Sequence, residues 1–66
     1  MEKNYFMARL YASMGDVTHA LESLQLALNA GFTDVAAISS EKDFDPIRND
    51  ERFLQFMKTT ALLNRP

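Results

Sequence analysis

The sequence predicts an all-α domain, and three observations predict it. Apolar residues recur at steps of three and four over Met7, Ala8, Tyr11 and Met14, then over Val17, Ala20, Leu21, Leu24, Ala27 and Leu28, which is the spacing of one helix face. The only two glycines, Gly15 and Gly31, follow these two runs, where a left-handed residue ends a helix. No stretch alternates apolar and polar residues over a useful length, so no strand is predicted.

The elements follow in order. Strong helix formers fill Glu2 to Met14, and Gly15 stops the run. Asp16 comes directly after it; an aspartate there accepts from free backbone N–H groups and suits the positive end of a new helix. One helix therefore ends and the next begins with almost no linker, which forces the two to pack antiparallel. The second helix is predicted from about Val17 to Ala30, with small Ala20 and Ala27 allowing its neighbour to come close. Beyond Phe32, a short helical segment is predicted from Val35 to Ser39, capped by Thr33 or Asp34. Asp45-Pro46 reads as an N-cap followed by proline at the first helical position. Asp50 caps a last helix from Glu51 to Leu63, whose inner face is Phe53, Phe56, Met57, Thr60 and Ala61, with Leu54 on its flank.

The chain of 66 residues has room for one domain. Within it, 2–32 is the helix pair, 33–49 the short turns and loop, and 50–64 the closing helix. A chain of this size buries only about 60% of the surface its unfolded form exposes, so stability is marginal. With no cysteine, neither a disulfide nor a thiolate is available. The hydrophobic fraction of 47% belongs to a folded domain, and two Gly and two Pro argue against a linker. The net charge of -2 and the scattered Lys and Arg argue against a nucleic-acid partner and an anionic membrane surface. The polar N-terminus and the Arg9 interruption exclude a signal peptide or a spanning helix there. The expectation is a cytoplasmic protein.

The first 32 residues resemble a tetratricopeptide repeat (TPR), two antiparallel helices in roughly 34 residues. Tyr11, Gly15-Asp16, Ala20, Leu24 and Ala27-Leu28 stand where that pattern has an aromatic, the turn, a small residue, a bulky one and a small-large pair, and Met7-Ala8 stands for the large-small pair. Asn4, His19 and Phe32 depart from it. The second half is similar to the closing segment after the last repeat of some bacterial TPR proteins, through Gly31-Phe32, Asp43 to Arg48 and Asp50 to Phe53. The resemblance implies a helical-repeat scaffold that binds a protein or peptide. It also implies a closing element with an apolar inner face, here Phe44, Ile47, Phe53 and Met57, and a polar outer one.

Nothing in the sequence assembles a catalytic centre. One histidine, His19, and no cysteine exclude the usual zinc sites. Ser13, Asp16 and His19 are neighbours around a turn, and His19 reads as a solvated helix residue. Glu41, Asp43, Asp45, Asp50 and Glu51 lack the alternation and central glycine of a calcium loop; they read as helix caps and solvated charges, some paired to Arg48 or Arg52. No glycine-rich phosphate loop is present. No cofactor and no metal are expected, and the chain is not expected to be an enzyme.

Two surfaces are candidates for a partner. By the resemblance, the first helix lines the concave binding face, with Glu2, Tyr5, Arg9, Ala12 and Ser13 turned outward. Tyr5 and Arg9 lie one above the other and are of types enriched at interface hot spots. Phe6, Leu10 and Leu26 lie off the main apolar faces. They either pack beneath the C-terminal segment or form an exposed patch for self-association, which would make the chain a homo-oligomer. The leading expectation is a protein-interaction module. The alternative is an accessory or capping domain of a larger enzyme or regulator, with no ligand of its own.

Overall fold

The computed structural model describes residues 2–32 and 35–63. Among the described residues there are four α-helices and one 3₁₀ segment: α1 (Glu2–Ser13), α2 (Val17–Asn29), α3 (Val35–Ser40), the 3₁₀ segment (Lys42–Ile47) and α4 (Glu51–Leu63). The described residues contain no strand. The chain is all-α, as its periodicity predicts.

Both glycine stops have the geometry that glycine permits. Gly15 (φ 81°) and Gly31 (φ 108°) lie in the left-handed region, which costs an L-residue about 1–2 kcal/mol. At the end of α1, the Asp16 N–H donates to the Tyr11 carbonyl and the Gly15 N–H to Ala12. At the end of α2, Phe32 donates to Ala27 and Gly31 to Leu28. Each pair is a Schellman closure, which satisfies carbonyls that the helix end leaves free. Asp16 then caps α2, its Oδ1 accepting from the His19 backbone N–H at 3.1 Å. Met14, Gly15 and Asp16 are the whole connection, so α1 and α2 form an αα-hairpin.

Alanines set the hairpin's inner seam. Ala8, Ala12, Ala20, Leu24 and Ala27 are fully buried, with Val17 and Ser23 nearly so. Alanine keeps no side-chain entropy to lose and lets two helix backbones approach closely. Large side chains fill the other layer: Ile38 from α3, Phe44 and Ile47 from the 3₁₀ segment, and Phe53 from α4 join the same core. The 3₁₀ segment packs on α1, and α4 packs on α2.

Four expectations shift. Ala12 is buried, not outward: it stands one turn after Ala8 and shares its face. Met14 is exposed, not part of the packed face, because the seam runs through Ala8 and Ala12. The 3₁₀ segment begins at Lys42, so Asp45 is no N-cap and Pro46 lies inside the segment. Phe56 and Met57 are half-buried against the core instead of within it. The caps expected at Thr33 and Asp34 lie outside the described residues, as do the side chains of Glu2 and Ala61. Asp50 behaves as read, its Oδ1 accepting from the Arg52 backbone N–H at 2.8 Å.

Candidate interaction surface

Tyr5 and Arg9 belong to one face of α1, and the chain's own closing segment meets that face. Tyr5 is half-buried and stacks on Phe32 at 4.6 Å between centroids, with Phe44 tilted against it at 6.1 Å. Phe44 in turn stacks on Phe53 at 5.8 Å. These separations lie in the range favoured by aromatic pairs. The four rings tie α1, the end of α2, the 3₁₀ segment and α4 together. The Arg9 Nε donates to Asp43 Oδ2 at 2.9 Å and lies 3.7 Å from Glu41 Oε2. The Asp43 hydrogen bond, with Glu41 nearby, holds the Arg9 guanidinium above its ordinary pKa. A groove of about 480 Å³ remains beside this contact, lined by Lys3, Tyr5, Phe6 and Arg9. Of the outward residues expected on α1, Ser13 is exposed, and its hydroxyl donates to the Leu10 carbonyl at 2.8 Å.

A second face of α1, adjoining that groove through Phe6, carries exposed apolar residues. Phe6 is 54% exposed, Leu10 43% and Met14 69%. They are spaced i, i+4, i+8 and form one stripe. At 100° per residue, the centre of this stripe lies about 180° from the centre of the buried Ala8–Ala12 pair. Phe6 and Leu10 therefore do not pack beneath the C-terminal segment. Leu26 on α2 is 55% exposed, and Leu54 on α4 53%. Met14 escaped the sequence reading because its spacing from Met7 and Tyr11 suits an inward face equally well. The signal that finds it is the step of four from Leu10.

The closing segment is held by arginines. Arg48 donates to Asp45 Oδ1 at 2.9 Å, to the Ser39 carbonyl at 2.6 Å and to the Glu41 carbonyl at 2.7 Å. It thus satisfies carbonyls at the end of α3 with a cation, where the helix dipole favours one. Arg52 pairs with Asp50 and reaches the Thr18 hydroxyl at 3.1 Å, joining α4 to the first turn of α2. The Arg52 side chain and then its backbone N–H hold the Asp50 carboxyl below the ordinary range.

His19 lies 2.7 Å from Asp16 Oδ2 through Nδ1 and stacks on Tyr11 at 4.9 Å. The His19 backbone N–H, ahead of its ring, lowers the Asp16 pKa. Asp16 is thus used as a helix cap. His19 lines neither the groove on α1 nor a second groove formed by Leu21, Glu51, Arg52, Gln55, Phe56 and Thr59. Among the described residues, no group of three or more His, Asp or Glu could hold a metal ion. Among them, too, no helix is long and apolar enough to cross a membrane.

No family model, no curated protein and no solved structure matches the chain.

Proposed function

We propose that this chain is a non-catalytic protein-interaction module, TPR-like in its helix pair, which holds a protein partner on the outer face of α1. The observation that carries the reading is the stripe of Phe6, Leu10 and Met14, exposed on the side of α1 directly away from the buried alanines. The solvent side of a surface helix is ordinarily polar, and a contiguous exposed apolar patch marks an association surface. The TPR-like part is supported by the buried small residues Ala8, Ala20 and Ala27 around a Gly15-Asp16 turn. On this reading the contact residues are Phe6, Leu10 and Met14, not Tyr5 and Arg9, which the closing segment engages. The non-catalytic part draws support from His19 and Asp16, which serve a helix start and face neither groove. The resemblance makes the cytoplasm the matching compartment.

The test is photo-cross-linking in cells that express the chain. A photo-reactive residue at Phe6 is expected to give discrete protein adducts. The same residue at exposed Gln25, on the polar side of α2, is expected to give none above background. Equal, background-level yields at both positions would remove the proposal.

A further inference from the structure

We infer that Met14 is a redox-modification site: a hydroperoxide converts its thioether to the sulfoxide, which lowers partner binding on the α1 stripe and leaves the fold intact. The inference rests on the interaction surface proposed above and names its regulation.

Sulfur chemistry in this chain falls to methionine. The sequence has four methionines and no cysteine, so no thiol competes for an oxidant and the thioethers are the only sulfur nucleophiles. The structure then ranks them. Met14 is 69% exposed. Met7 is half-buried, and Met57 is half-buried and packed against the core. The backbone also holds Met14 in place. Its N–H donates to the Leu10 and Tyr11 carbonyls in the last turn of α1, and the left-handed Gly15 follows directly. A dissolved oxidant therefore reaches this side chain without any opening of the fold, and oxidation follows exposure.

The reaction needs a hydroperoxide and nothing else. A lone pair on Met14 Sδ attacks the terminal oxygen of the peroxide; the S–O bond forms as the O–O bond breaks. The proton on the transferred oxygen passes to the departing one, which leaves as an alcohol, or as water from hydrogen peroxide. Sulfur gives up an electron pair and the peroxide accepts it. A methionine sulfoxide reductase reverses the step: the oxygen leaves as water while two thiols close to a disulfide.

The position of the sulfur makes this a switch at the surface. Phe6, Leu10 and Met14 form one exposed apolar stripe. A sulfoxide at its C-terminal end puts a polar, chiral group where the contact is apolar, and covering a polar group that finds no hydrogen bond is unfavourable. The core loses nothing, because Met14 is not among the side chains packed against it. Oxidation at Met57 would instead disturb packing between α4 and the core.

A peroxide time course tests this. Trypsin cuts after Lys and Arg, so Met7, Met14 and Met57 fall on separate peptides, 4–9, 10–42 and 53–58, and mass spectrometry reads one added oxygen on each. In the folded chain Met14 is expected to react about tenfold faster than Met57, and in urea the difference should vanish. Oxidation confined to Met14 should leave the melting midpoint unchanged. In cells carrying the photo-reactive residue at Phe6, a hydrogen peroxide pulse is expected to lower the adduct yield about tenfold, with recovery as reductase restores the thioether. Met14→Leu, apolar but without sulfur, should hold its adducts through the same pulse. Equal rates at Met14 and Met57 in the folded chain, or adducts of Met14→Leu lost as readily as those of the native chain, overturn the inference. If native adducts survive full oxidation of Met14, the switch falls and the interaction surface stands. If Phe6 gives no adducts before oxidation, the surface falls and the switch with it.

Discussion

The α1–α2 hairpin and the segment that closes it are built from different materials. The hairpin is held by alanines and by backbone: its seam is Ala8, Ala12, Ala20 and Ala27, and its ends are closed by glycines and main-chain hydrogen bonds. The closing segment is held by side chains. Its core is Ile38, Phe44, Ile47 and Phe53; Arg48 ties down its backbone carbonyls, and Arg52 fastens it to the Thr18 hydroxyl of α2. Small residues make a hairpin that is well defined but poor in buried area per residue. The large rings of the closing segment supply the apolar surface that the hairpin lacks. The hairpin thus depends on its cover along one side, while its other side carries the uncovered stripe.

The strongest way to break this comparison is Phe44→Ala. Phe44 is fully buried between Tyr5 and Phe53, and removing such a ring costs about 3–5 kcal/mol. For a chain of this size, total stability is only about 3–10 kcal/mol. Helical circular dichroism is expected to fall across the whole chain; loss confined to the C-terminal half would show that the hairpin stands alone. Gly15→Ala probes the hairpin's side of the comparison. A Cβ at Gly15 meets nothing within 4 Å, so the cost is purely that of the left-handed backbone, about 1–2 kcal/mol, read as a lowered urea midpoint with an unchanged slope. Acid gives the smallest effect and acts on both regions at once. Asp16 in the hairpin and Asp50 in the closing segment have folded-state pKa values below the ordinary carboxyl value. Their contribution is complete above the unfolded value of about 3.9 and is lost as pH falls through the lower, folded values. Thermal stability should therefore decline below about pH 4, and Asp16→Asn should shrink that decline, as a scan from pH 6 to 2 would show.

The hairpin was legible in the sequence because its signals are local. Gly15, Asp16 and Gly31 announce the turns, and Asp50 announces α4, each through contacts a few residues away. What was missed is non-local or ambiguous in phase. Arg9 and Asp43 are 34 positions apart, and no spacing rule joins them. Ile38 enters the core from a helix too short to show a period. The resemblance turns Ala12 outward, although its step of four from Ala8 places it on the buried face. Of the candidate residues, Phe6, Leu10 and Leu26 were recognisable because leucine and phenylalanine off an apolar face need a reason. Tyr5 and Arg9 looked free only because the segment that meets them lies far along the chain.

The placement of the two tyrosines gives the molecule a built-in pair of optical reporters. The chain has no tryptophan and two tyrosines, so its near-ultraviolet signal comes mainly from Tyr5 and Tyr11. Tyr11 touches His19 entirely within the hairpin turn. Tyr5 bridges the hairpin to Phe32 and to Phe44 of the closing segment. One chromophore therefore senses the turn and the other senses the junction. Two single Tyr→Phe proteins would separate the channels, and melting curves that superimpose would identify the hairpin and its cover as one cooperative unit.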